Sequence, residues 1–230
     1  MPTVLVTGAN RGLGLEFVRQ YAADGARVIA ACRTPVRADA LTAIAAGSQG
    51  RITVHPLDVT EEASVAGFKS VLGTQAIDVV IANAGTYGGS RQDWDDMDYD
   101  AWARTLAVNL MAPLRLAQIV HRNLLAGTGK KFIAITSGMG SNKSPGGGMH
   151  GYRTSKAALN KLISTLAQDW SADGIIAVSV SPGWVKTDMG GPEAPLAPAE
   201  SVAAMRTFIG ALTPDRSGHM IDYDGTPLAW

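Results

Sequence analysis

The stretch "TVLVTGANRGLGLEF", residues 3–17, decides the fold. Its first five residues are all β-branched or aliphatic, the pattern of a strand buried on both faces. Gly8, Gly12 and Gly14 then interrupt the chain before a helical run that closes at Gly25. A glycine-rich turn between strand and helix brings bare backbone to a helix N-terminus, where unpaired N–H groups and the helix dipole attract phosphate. Such turns also close ordinary βα units. This one follows the first strand of the chain and opens an amphipathic helix, the context in which the pattern binds nucleotides. Residues Gly8, Asn10, Arg11, Gly12, Leu13 and Gly14 are therefore candidates to cradle a pyrophosphate.

Outward from this unit, strand-like and helix-like runs alternate to the end of the chain. Further strands are predicted at 26–32, 51–59, 76–85, 130–137, 174–183 and 218–225. Helices are predicted at 12–25, 36–46, 61–72, 99–127, 151–172 and 198–211. Such alternation implies an α/β fold with helices on both faces of the sheet. The expectation is a Rossmann-type doubly wound domain with a mostly parallel seven-stranded sheet. No repeat, charge block or linker divides residues 1–230, so one domain is expected.

Hydrophobic residues make up 46% of the chain and charged residues 17%, enough apolar matter for a sizeable core. Lysine plus arginine balances aspartate plus glutamate at 20 each, which argues against a nucleic-acid or acidic-membrane partner. A single cysteine, Cys32, rules out an internal disulfide and reads as a small buried hydrophobe. The start "MPTVLVTGAN" has no leader pattern, and no apolar run approaches the ~20 residues of a membrane span. A soluble cytoplasmic protein is expected.

The second strand runs into "ACRTP", which carries Arg33 where an acid would hold the ribose hydroxyls of NAD(H). Arg11 supplies a second guanidinium inside the turn. Two such forks suit a 2′-phosphate, so NADP(H) is the predicted cofactor. Two surface arginines are the plainer alternative.

A second chemistry sits in "GGGMHGYRTSKAALN", residues 146–160, where Tyr152 precedes Lys156 by four residues on a helix. Side chains so spaced share a face, and a nearby ammonium favours the phenolate, lowering the phenol toward a usable range. An isolated pair of this kind is more often a solvated helix face, so it needs company.

That company is present. The glycine turn, "NAG" at 83–85, a serine after the fifth strand, Y-x-x-x-K and "PG" at 182–183 follow one another across the chain. Together they resemble the short-chain dehydrogenase/reductase family over essentially the whole sequence. "TGANRGLG", the "CR" after strand two and the ending "YDGTPLAW" are most similar to its carbonyl-reductase and C-factor (sniffer-like) branch. The resemblance implies that Tyr152 is the catalytic acid/base and that Lys156 lowers its pKa and holds the nicotinamide ribose. It implies that Ser137 polarises the substrate carbonyl, with Ser141 and Ser144 as alternatives, and that Asn109 anchors a water leading from Lys156 to solvent. Asp58 and Val59 would contact adenine, and Asn83, Ala84 and Gly85 would line the adenine-ribose side. Pro182, Gly183, Val185 and Thr187 would cover the nicotinamide, although Pro182–Gly183 could equally just end a strand. The family also implies a homodimer or homotetramer, built on a small-residue helix such as "TSKAALNKLISTLA".

Two signals point elsewhere and are declined. "DWDDMDYD", residues 93–100, lacks the glycine and glutamate of a calcium loop and reads as a helix entry. His55, His121, His150 and His219 have no metal-ligand spacing, so no metal is expected. His150 reads as a loop histidine, two residues from Tyr152.

The predicted activity is NADP(H)-dependent reduction of an aldehyde or ketone, or oxidation of the corresponding alcohol. A nucleotide-binding sensor or signalling protein on the same fold is the alternative, and an epimerase or dehydratase a more distant one. The segment "DMGGPEAPLAP", 188–198, stands where a substrate lid is expected and is short. Tyr87, Trp94, Trp184 and Met189 could wall a pocket or belong to the core.

Overall fold

A computed structural model describes residues 1–230. Seven strands form one sheet: β1 Thr3–Thr7, β2 Arg27–Cys32, β3 Ile52–Pro56, β4 Val79–Ala82, β5 Lys131–Ile135, β6 Ile176–Ser181 and β7 Met220–Asp222. Their spatial order is β3-β2-β1-β4-β5-β6-β7, and every neighbouring pair is parallel. The helices are α1 Gly12–Ala23, α2 Asp39–Ala46, α3 Glu62–Leu72, α4 Tyr99–Leu106, α5 Ala112–Ala126, α6 His150–Asp169 and α7 Pro198–Gly210. No helix is long and apolar enough to cross a membrane.

The aliphatic strands make sense in this setting because each buries both faces. Along β1, Val4 and Val6 enter the core that Phe17 of α1, Leu41 of α2 and Met205 of α7 complete. Leu5 between them points the other way, to the core of Phe68 of α3, Leu124 of α5 and Ile163 of α6. The same two-residue alternation places Ile133 in the first core and Phe132 and Ala134 in the second. Cys32 is buried in the first, as the sequence predicted.

Two features position the site. Strand order reverses between β1 and β4, which opens a crevice at the carboxyl ends of those strands. The helical run over 99–127 is not one regular helix: Ala107–Met111 form a π-turn between α4 and α5. The sequence reading did not foresee that turn, because no residue type marks it. The "DWDDMDYD" stretch does enter α4 as expected, with the Asp98 carboxylate capping the Ala101 N–H at 2.9 Å.

Candidate active site

The glycine turn sits at the mouth of the β1/β4 crevice. Gly8 and Gly12 have φ of +64° and +53°, a conformation that side-chained residues rarely adopt. At Gly14 a Cβ would lie 2.1 Å from the Gly8 carbonyl oxygen, so only glycine lets α1 pack against the turn. The N-terminus of α1 has no side-chain cap and no acid in its first turn, which leaves its donors free for an anion. This donor set fits a pyrophosphate.

The turn is braced from β4. Thr7 Oγ1 accepts the N–H groups of Asn83 and Ala84, both at 3.1 Å. The Asn83 amide donates to the carbonyls of Thr7 and Gly8 at 3.0 and 3.3 Å. Asn83 was expected to line the adenine-ribose side; its side chain serves as a strut beneath the glycine turn.

Arg33 is exposed at the end of β2 and lies near Asp58. Burial works against ionisation of Asp58, but hydrogen bonds from the Thr60 hydroxyl and N–H, aided by Arg33, hold the carboxyl below its usual range. Arg11, expected to supply a second guanidinium for a 2′-phosphate, is engaged within the chain. Its Nη1 pairs with Asp188 at 2.5 Å, because the loop after β6 folds down onto the glycine turn. Thr187 lies against Gly12 in the same contact: a Cβ there would sit 3.6 Å from Thr187 Cγ2. Val185 is buried and bridges to Leu196, giving this Pro182-to-Ala197 segment a bonded frame rather than an open end.

Across the crevice, Tyr152 and Lys156 share the buried face of α6. Burial pushes the Tyr152 phenol above its ordinary value, and the neighbouring Ser137 hydroxyl partly offsets that. Burial pulls the Lys156 ammonium down to about 8. The expected lowering of the phenol by Lys156 is not found. Lys156 Nζ donates to the Ile135 carbonyl at 2.9 Å and stands 5.8 Å from the centre of the tyrosine ring. Desolvation therefore dominates both groups, and the phenol keeps its proton at neutral pH.

Among the three candidate serines, Ser137 neighbours the phenol and accepts the Met139 N–H at 3.1 Å, whereas the Ser141 hydroxyl donates to the Ala229 carbonyl. Asn109 sits in the π-turn, almost fully buried. Its amide donates to Thr86 O at 2.8 Å and Ser155 Oγ at 3.0 Å, and its Oδ1 accepts from Thr86 N at 2.9 Å. That side chain is a bracket for the chain after β4. His150 opens α6 and bonds Gln92 O through Nδ1 at 3.0 Å.

The aromatic candidates are exposed rather than core: Tyr87 at 41%, Trp184 at 58% and Trp94 at 83%. Tyr87 lies beside Tyr152, with ring centres 4.9 Å apart. Sequence reasoning missed Gln92 entirely, although its buried amide touches both the Tyr87 loop and α6.

A family model for the short chain dehydrogenases matches residues 2–195. The chain belongs to the short chain dehydrogenase family. The "C-signal" protein of Myxococcus xanthus is 39% identical to this dehydrogenase over 167 residues, covering 71% of this chain and 98% of the relative. The solved carbonyl reductase Sniffer of D. melanogaster superposes with a TM-score of 0.91 at 32% identity, with all of both chains covered. The NADPH-bound carbonyl reductase from chicken fatty liver gives 0.92 at 32% identity, covering 100% of this dehydrogenase and 99% of that chain. The seven-stranded parallel fold and the oxidoreductase family thus agree with what the sequence predicted.

Proposed function

We propose that this dehydrogenase is an NADP(H)-dependent reductase of aldehydes or ketones, working in reverse on the corresponding alcohols, with residues 1–230 acting as one coenzyme-binding domain. The observation that carries the reading is Tyr152: a buried phenol sharing one face of α6 with Lys156, in a fold whose strand order reverses beside an uncapped glycine turn. The NADPH-bound carbonyl reductase of similar fold supports the choice of coenzyme.

The first-turn N–H groups of Gly12, Leu13 and Gly14 would hold the pyrophosphate, and Asp58 and Val59 would flank the adenine. Arg33, which makes no ion pair of its own, would take the 2′-phosphate; Arg11 can join it only by leaving Asp188. Ala84 and Gly85, with the Pro182-to-Thr187 segment, would border the remaining coenzyme. When bound, the coenzyme supplies the hydride. The Ser137 hydroxyl donates a hydrogen bond to the substrate carbonyl, drawing charge toward its oxygen. Tyr152 donates its proton to that same oxygen, and a phenol held protonated by burial is in the correct state to do so. Lys156, buried behind it, keeps a proton source with a pKa of about 8 close to the phenol.

A second reading, coenzyme binding for signalling with little turnover, is favoured by the similarity to the protein named C-signal. Fluorescence titration with NADPH and NADH, followed by turnover assays on simple aldehydes, separates the two. Binding of NADPH about tenfold tighter than NADH, ~1.4 kcal/mol, with turnover that Tyr152→Phe removes, is the expected result. NADPH binding without turnover on any carbonyl would favour the signalling reading. No binding of either coenzyme would remove both.

A further inference from the structure

The first turn of α6 carries Tyr152, yet α6 has no cap of its own. Its N-cap residue is Met149, held at φ +54° and ψ +38°, and no side chain from that position reaches the turn. A helix end leaves its first donors unpaired, and a buried end without partners is costly. The partners come from 60 residues away. The Gln92 carbonyl accepts the His150 N–H at 2.9 Å, and Gln92 Oε1 accepts the Tyr152 N–H at 2.8 Å. These are the first and third donors of the helix, the third being one that a cap side chain ordinarily satisfies.

The other end of the same amide is equally committed. Gln92 Nε2 donates to the carbonyls of Tyr87 and Gly89, at 2.9 and 2.6 Å. Its residue is only 7% exposed, and both faces of the amide are satisfied. Gly151 makes room for it, since a Cβ there would stand 3.0 Å from Gln92 Oε1. One side chain thus ties the loop holding Tyr87 to the turn holding Tyr152, whose rings are in contact.

Resting on the acid/base reading of Tyr152, we infer that Gln92 is a positioning residue that caps α6 from outside the helix and sets Tyr152 and Tyr87 against the substrate carbonyl. Glutamine is the residue type this needs: one acceptor for the helix donor and two donors for the loop carbonyls, on one planar group.

Gln92→Glu keeps the shape and the acceptor but turns a carboxylate toward two carbonyl oxygens. That repulsion raises the pKa of the introduced carboxyl, and protonation restores one donor. Turnover of 4-nitrobenzaldehyde with NADPH is measured between about pH 6 and about pH 9, and each variant rate is divided by the wild-type rate. The division removes whatever both proteins share; the titratable and charged groups around the introduced carboxyl are His150, Tyr87, Tyr152, Arg91 and Asp93, present in both. The expected kcat ratio for Gln92→Glu approaches one at the acid end and falls about tenfold or more at the alkaline end. NADPH affinity stays within about twofold, because the glycine turn is untouched. Gln92→Leu removes both functions of the amide, and its kcat falls at every pH. Phenolate absorbance of each variant, with that of its Tyr152→Phe double subtracted, reads Tyr152 without any substrate. Loosening the turn admits water and moves the phenol back toward its ordinary value. Gln92→Glu covers the case in which Gln92→Leu does not fold.

Gln92 variants that keep wild-type kcat at every pH and an unmoved Tyr152 titration would overturn the inference, even with a lowered melting temperature. Tyr152→Phe run alongside separates the two claims. An active Tyr152→Phe defeats the acid/base reading, whereas an inactive one beside fully active Gln92 variants defeats this one.

Discussion

Burying an ammonium costs stability, and at the residue scale Lys156 is where that cost falls. It is 6% exposed, and its single hydrogen bond is to the Ile135 carbonyl. Its folded pKa of about 8 lies below the ordinary 10.5, so the unfolded chain binds more protons between those values. Stability therefore rises with pH through that window and carries the full penalty below about pH 8. The drop is worth roughly 3 kcal/mol, partly offset by the hydrogen bond to Ile135. Lys156→Met should accordingly raise the melting temperature of the coenzyme-free protein at pH 7 while abolishing turnover. Thermal unfolding of both proteins checks this, and a lower melting temperature in the variant would contradict it. Tyr152 and Lys156 were legible as a pair from their spacing. Their titration was not, since desolvation depends on what the fold packs around them.

At the scale of elements, the β1–α1 unit joins a binding surface to a packing constraint. Alanine is the better helix former and would be favoured within an exposed α1. At Gly14 its methyl would meet the Gly8 carbonyl and the Asn83 amide, at 2.1 and 2.6 Å. Gly14→Ala should therefore destabilise the protein by about 2 kcal/mol and weaken NADPH binding, as read by denaturant unfolding and fluorescence titration. Stability equal to wild type would mean that α1 shifts freely, and the strut from Asn83 would not constrain the turn. The glycines announced this element in the sequence. The strut did not, because Asn83 and Gly8 are neighbours only once β4 pairs with β1. The π-turn at Asn109 was equally hidden, its stabilising bonds running to Thr86 and Ser155 rather than along its own helix.

Across the whole molecule, the crevice proposed to hold coenzyme lies at the carboxyl ends of the strands, and a separate hub secures the opposite end. Asp78 accepts the N–H groups of Thr3, Thr128 and Gly129 and the Thr128 hydroxyl, joining the starts of β1 and β4 to the α5–β5 loop. Burial opposes ionisation there, but those four donors outweigh it and hold the carboxyl below its ordinary value. A depressed carboxyl stabilises the fold above its unfolded pKa and loses that contribution as pH falls through the folded one. Asp78→Ala should cost about 2 kcal/mol at neutral pH and less in acid, with NADPH affinity unchanged. Denaturant unfolding at neutral and acid pH, with one coenzyme titration, tests the separation; weakened binding would show the two ends to be coupled. The sequence by itself determined the strand and helix alternation, the glycine turn, the Tyr152–Lys156 pair and the family, because each is a local pattern of neighbouring residues. Only the tertiary structure decided that Ser141 is tied to the Ala229 carbonyl, that Arg11 pairs with Asp188, and that Gln92 caps α6. Those are choices among partners far apart in the chain, and hydrogen-bond geometry and burial select between them only after the strands have paired.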